Sequence, residues 1–133
     1  MTLPDPEIRP RPPRVTGARH LVAATRYSAG GARRLWQETA LRHIALGFAA
    51  SLALLIWARA GLSEIAIFTV LTLILVAVEA LNTAIECVVD HLAPDWQEFA
   101  RDAKDLGSFA TMCLLVANGL FLASVLAGAA GLL

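Results

Sequence analysis

Residues 65–90 read IAIFTVLTLILVAVEALNTAIECVVD, and this stretch decides the fold. No Gly or Pro occurs between 62 and 93, so the segment is expected to form one continuous helix. Its uncharged part, between Glu64 and Glu79, has only 14 residues. A span needs about 20 residues to cross roughly 30 Å of hydrocarbon. The helix therefore has to take Glu79, Asn82, Glu86 and Asp90 with it. Counted from Ile65, Glu79 lies about 21 Å along the axis at 1.5 Å per residue. That places it in the far leaflet, with Glu86 near the far boundary.

The rest of the chain supports a membrane setting. Of 133 residues, 57% are hydrophobic and 17% charged. Soluble domains average about 45–50% and 25%, so the composition argues against a water-soluble globule and rules out disorder over most of the length. Two further uncharged runs flank the decisive stretch. One of 16 residues lies between Arg42 and Arg59, and one of 28 runs from Leu106 to Leu133. The longer run spans alone. The shorter spans if its arginines snorkel and Trp57 anchors at an interface. Cys87 and Cys113 both lie in apolar stretches and read as packing residues.

The net charge of zero hides an asymmetry. Residues 1–42 carry eight Arg against Asp5, Glu7 and Glu38. Residues 1–16 hold five of the six prolines and read as a disordered tail. Residues 17–42 mix Leu21, Leu35 and Leu41 with Arg19, Arg26, Arg33, Arg34 and Arg42. This fits a basic amphipathic helix on an anionic membrane surface, with a solvated basic linker as the alternative. Gly30-Gly31 is expected to weaken or break such a helix midway. The excess of Arg puts the N-terminus and the 91–105 loop in the cytoplasm.

The expectation is an all-α membrane protein. It comprises a tail over 1–16 and one domain over 17–133. The domain has a surface helix at about 18–40 and transmembrane helices at about 43–60, 63–91 and 106–130.

Glu79, Asn82, Glu86 and Asp90 are spaced by three, four and four residues, one stripe of an α-helix. Carboxylates at membrane depth are costly and mark function by default. Such a stripe can bind a hard cation through oxygen, accept a proton from a hydroxyl, or hydrogen-bond between helices. The sequence has no GxxxxGK[ST] loop, no soluble-kinase signature set, no GxSxG elbow and no His/Cys metal spacing. His20, His43 and His91 are scattered. Enzyme, proton-coupled carrier and non-enzymatic membrane subunit all remain open on these grounds.

Residues 79–108, EALNTAIECVVDHLAPDWQEFARDAKDLGS, resemble the prokaryotic diacylglycerol kinase family. Its hallmark is E-x-x-N-[ST]-A-I-E-x-x-x-D, followed after a short loop by A-K-D-x-[GA]-[SA]. Tyr27-Ser28 and the element Glu38-Thr39-Ala40-Leu41-Arg42 extend the resemblance. The family is three-spanning and homotrimeric, and transfers the γ-phosphate of Mg-ATP to a lipid hydroxyl at the membrane surface.

The resemblance implies Glu79 as the catalytic base and Glu38 and Glu86 as Mg²⁺ ligands. It implies Tyr27, Glu38, Glu86, Asp95, Trp96, Gln97, Lys104 and Asp105 as ATP contacts. Asn82 and Ser108 would join Glu79 in the lipid-side pocket. The implied cofactor is Mg²⁺, with ATP as co-substrate. The implied partners are diacylglycerol and membrane lipids in the bacterial inner membrane, with no nucleic acid. A kinase of undecaprenol is the rival within the family.

The sequence departs from the family pattern near its N-terminus. The Tyr27-to-Glu38 spacing is one residue short, the second carboxylate of the Glu38 element is Ile44, and a common Arg position aligns with His20, beside Arg19.

Overall fold

The computed structural model describes residues 17–132. Four helices follow one another: α1 (Ala18–Leu35), α2 (Thr39–Trp57), α3 (Leu62–Leu92) and α4 (Glu98–Ala129). No strand occurs among the described residues. The last three helices are long and apolar enough to cross a membrane. The tail over 1–16 lies outside the described residues, as does Leu133.

α1 runs unbroken through Gly30-Gly31, contrary to the expected break. Each glycine costs about 1 kcal/mol against alanine in a helix. Gly31 lines a shallow apolar groove with Ala77, Ala80 and Ala84 of α3, and a Cβ at either glycine would meet open space. Those alanines line the groove and remain exposed.

α1 also stops earlier than the expected residue 40. After Leu35 the chain closes two tight turns, Gln37 N–H to Arg34 O and Glu38 N–H to Leu35 O. Glu38 is then extended (φ −75°, ψ 135°) and opens α2 at Thr39, ahead of the expected 43. α2 ends at Trp57 in a Schellman turn. Ala60 N–H reaches Leu55 O, Arg59 N–H reaches Ile56 O, and Arg59 takes the left-handed conformation at φ 58°. Glu64 then accepts the Gly61 N–H at 2.6 Å and caps α3.

α3 has 31 residues and α4 has 32, about 46–48 Å each at 1.5 Å per residue. Both overrun the roughly 30 Å hydrocarbon thickness. They pack as an antiparallel pair joined by a turn at 93–97. The segment expected to be a loop up to residue 105 is already helical from Glu98. Pro94 ends α3, Gln97 is extended, and Glu98 sits favourably in the first turn of α4. Arg101 then bonds Asp102 at 2.8 Å and lies 3.9 Å from Glu98, supporting the charged first turns.

Two apolar clusters hold the ends. Leu55, Phe68 and Val125 pack where α2 turns into α3, and Phe48 stacks on Phe68 with ring centroids 5.9 Å apart. Val89, Ala93 and Ala100 pack at the α3–α4 turn. Between the clusters, beside the apolar Leu75, polar side chains are buried: Thr72, Glu79, Asn82, Thr83 and Asn118. Large apolar residues such as Leu46, Ile67, Leu73 and Leu81 are exposed. Polar groups inside and apolar groups outside is the arrangement a lipid solvent requires. Asn118 ties α4 to α3, lying 3.0 Å from the Thr72 hydroxyl and donating to Leu114 O at 2.8 Å and Leu71 O at 3.4 Å. Interhelical bonds of this kind contribute about 0.6 kcal/mol each on average.

Candidate functional site

The inward stripe of α3 meets α4 and the α1–α2 corner in a cavity of about 320 Å³. Glu38, Glu79, Asn82, Glu86 and Ser108 line it together. Three separate helical pieces thus bring five of the sequence-derived site residues to one place. Glu79 is 6% exposed, and its Oε2 accepts a hydrogen bond from the Thr111 hydroxyl at 3.1 Å. Glu86 Oε1 accepts the Asn82 amide N–H at 3.0 Å.

Asn82 Oδ1 is buried and has no hydrogen-bond partner among the described residues. It faces Gly107, where any Cβ would overlap it. Gly107 therefore sets how closely α4 approaches α3. Alanine, which the family motif admits, requires the Asn82 amide to swing aside. Gly107→Val exceeds that allowance and should separate the helices, costing about 1–3 kcal/mol by overpacking. A thermal melt in detergent within a degree of the native protein would contradict this.

Glu38 is ion-paired with Arg34, one turn back on α1. Its hydrogen bond first, and its charge second, push the Arg34 guanidinium above its ordinary pKa. The Arg34 side chain is half exposed, so the pair holds the α1–α2 corner only weakly. Arg34 also lies 3.8 Å from Cys87 Sγ on α3, which ties the corner to the residue after Glu86.

A second cavity, also about 320 Å³, opens at the α3–α4 turn. Asp90, Asp95, Trp96, Gln97, Arg101 and Lys104 line it. Lys104 reaches across from α4 to pair with Asp90, one helical turn beyond Glu86. Two of the implied ATP contacts stand apart. The Asp105 carboxylate is 73% exposed on the outer face of α4, 4.0 Å from Arg101. Tyr27 is 75% exposed on α1 and lines neither cavity.

Among the described residues no three His, Cys, Asp or Glu side chains converge on a metal position. Two carboxylates on one cavity, Glu38 and Glu86, nonetheless suit Mg²⁺. That ion keeps waters and substrate phosphates in its shell and takes only one or two protein carboxylates.

Thr111 and Arg34 escape a motif-based reading, and the motif holds Gly107 without saying what it packs against. A positional signal exists for the first: Thr111 follows Ser108 by three residues and Gly107 by four, so all three share one face of α4.

The model of the family described as prokaryotic diacylglycerol kinase matches residues 26–126. A Sinorhizobium protein named diacylglycerol kinase is 48% identical over 110 residues, covering 83% of this chain and 80% of its own. A Haemophilus influenzae protein of the same name is 33% identical over 77% of this chain and 90% of its own. One from Escherichia coli is 29% identical over 76% and 84%. The carboxylate cavity thus sits in a chain that belongs to the prokaryotic diacylglycerol kinase family.

Proposed function

We propose that the protein transfers the γ-phosphoryl group of ATP to the free hydroxyl of 1,2-diacylglycerol, giving phosphatidic acid and ADP. The observation that carries this reading is that Glu38, Glu79 and Glu86 line one cavity; counted along α3, Glu79 falls in the far leaflet, toward the headgroups. Glu79 takes the hydroxyl proton as the acceptor oxygen bonds to the γ-phosphorus. The bond from that phosphorus to the β–γ bridging oxygen breaks, and ADP leaves. Glu38 and Glu86 would hold Mg²⁺, which would supply neutralisation of the phosphate charge. Lys104 provides a positive charge for phosphate once released from Asp90. Asp95, Trp96 and Gln97 take the nucleotide in the second cavity, with Tyr27 and Asp105 reaching it from the exposed faces of α1 and α4. Asn82 and Ser108 orient the lipid head.

The excess of Arg in residues 1–42 supports an N-terminus in the cytoplasm, with the site at the cytoplasmic face of a bacterial inner membrane. A homotrimer with sites between neighbouring chains would cover apolar and carboxylate surface that one chain leaves open. The test of function is lipid-dependent ATP consumption by purified protein in vesicles containing diacylglycerol or undecaprenol. Turnover is expected with diacylglycerol. Turnover with undecaprenol alone would transfer the protein to the rival activity, and none with either alcohol would remove it from the kinases.

The metal assignment has its own test. Glu86→Gln and Glu38→Gln should each raise the Mg²⁺ concentration needed for half-maximal rate more than the lipid concentration. Mn²⁺ should substitute, since the donors are oxygen alone. An unchanged Mg²⁺ titration in both variants would sink the assignment.

A further inference from the structure

Glu79 has one oxygen tethered and one without a hydrogen-bond partner among the described residues. Oε2 accepts the Thr111 hydroxyl at 3.1 Å across the α3–α4 interface. No hydrogen bond to Oε1 accompanies it, although Glu79 lines the cavity. An ionised carboxylate has about four acceptor positions, and a rotating carboxylate presents its oxygens in no fixed direction. A single donor on one oxygen fixes the plane of the group and leaves the other oxygen to the substrate.

The donor is directed to another helix. A threonine hydroxyl within a helix commonly bonds the carbonyl four residues back. Thr69 does so to Ile65 O at 2.8 Å, and Thr72 lies 3.0 Å from both Phe68 O and Asn118 Oδ1 on α4. Thr111 instead gives its proton to a carboxylate on another helix. The bond is charge-assisted when Glu79 is ionised, which makes it stronger than a neutral one. Gly107 holds α4 close enough to α3 for this reach, four residues before Thr111 on the same face.

We infer that Thr111 is a positioning residue for the reaction: it holds Oε2 of Glu79 so that Oε1 faces the lipid hydroxyl. The inference rests on the reading of Glu79 as the base. Thr111 lines the same cavity as Glu79, and the role inferred for it acts on turnover rather than on binding.

The test compares Thr111→Val, which keeps the shape and removes the donor, with Thr111→Ser, which keeps the donor and removes the methyl group. Misplacing a reacting group by an ångström can cost up to about 100-fold in rate. Thr111→Val should therefore lower kcat by about 10–100-fold, with KM for ATP and for lipid within twofold of the native values. Thr111→Ser should recover most of the loss even though it removes packing. Thermal melts in detergent separate folding from chemistry, since a packing role predicts the larger shift for Ser and the smaller for Val. Glu79→Gln serves as the reference. If Glu79→Gln is inactive and Thr111→Val turns over within twofold of native, the positioning role is overturned and the base stands. If Thr111→Ser is as slow as Thr111→Val, the hydroxyl is not the cause and the inference is also overturned. Native turnover in Glu79→Gln would overturn both.

Discussion

Replacing Glu79 by Gln should lower kcat by about 10²–10⁴-fold, the range a positioned general base supplies, while ATP binding stays near native. The substitution keeps the shape and the Thr111 hydrogen bond, because the Gln carbonyl still accepts from the Thr111 hydroxyl. What is lost is the capacity to take a proton. Glu79 is nearly fully buried between α3 and α4, so bulk water has little access to replace it as base. The second cavity, where the nucleotide is proposed to lie, does not include Glu79 among its walls. Nucleotide affinity, measured by equilibrium binding, should therefore not follow the fall in rate. A variant that turns over normally removes Glu79 from the base role. A variant that loses ATP affinity and rate together makes it a binding residue instead.

Mixing two inactive variants, Glu79→Gln and Lys104→Ala, should restore activity if neighbouring chains share a site. Within one chain Glu79 and Lys104 line different cavities, and Lys104 is occupied by Asp90. A neighbouring chain offers a second way for the two groups to meet. In closed cyclic assemblies each chain meets its neighbour through the same pair of surfaces. A site that takes Glu79 from one chain and Lys104 from the next is intact in about a quarter of cases after random 1:1 reassembly of a ring. The mixed sample should then reach about a quarter of native activity. If each site takes both groups from one chain, mixing yields no more than the two parents. Cross-linking in mild detergent that finds only monomers would defeat the oligomer itself.

The spans were readable because the charges are segregated. Arg42, Arg59 and Glu64 bracket the apolar runs, and the absence of Gly and Pro between 62 and 93 leaves α3 no place to break. The carboxylate stripe was readable for a similar local reason, since Glu79, Asn82 and Glu86 recur with the helix period. Glu38 joins the stripe only because α1 ends at Leu35 and the corner folds back over α3. That outcome depends on two turn hydrogen bonds that no periodicity announces. Gly30-Gly31 misled for the opposite reason. Helix propensity penalises glycine by only about 1 kcal/mol each, which does not interrupt a helix of 18 residues, and no close contact explains the pair. Thr111 belongs to a contact between residues 32 apart. Its partner follows from how α3 and α4 pack, which the sequence pattern constrains to a face and not to a pair.

The most direct test of the central claim follows the phosphorus. Purified protein in phospholipid vesicles with 1,2-diacylglycerol is given ATP labelled in the γ-phosphate, and the lipids are extracted and resolved. The account predicts label in phosphatidic acid, dependent on both diacylglycerol and Mg²⁺, and absent with Glu79→Gln. Label released only as inorganic phosphate, or a phosphatidic acid signal that persists in Glu79→Gln, would contradict it.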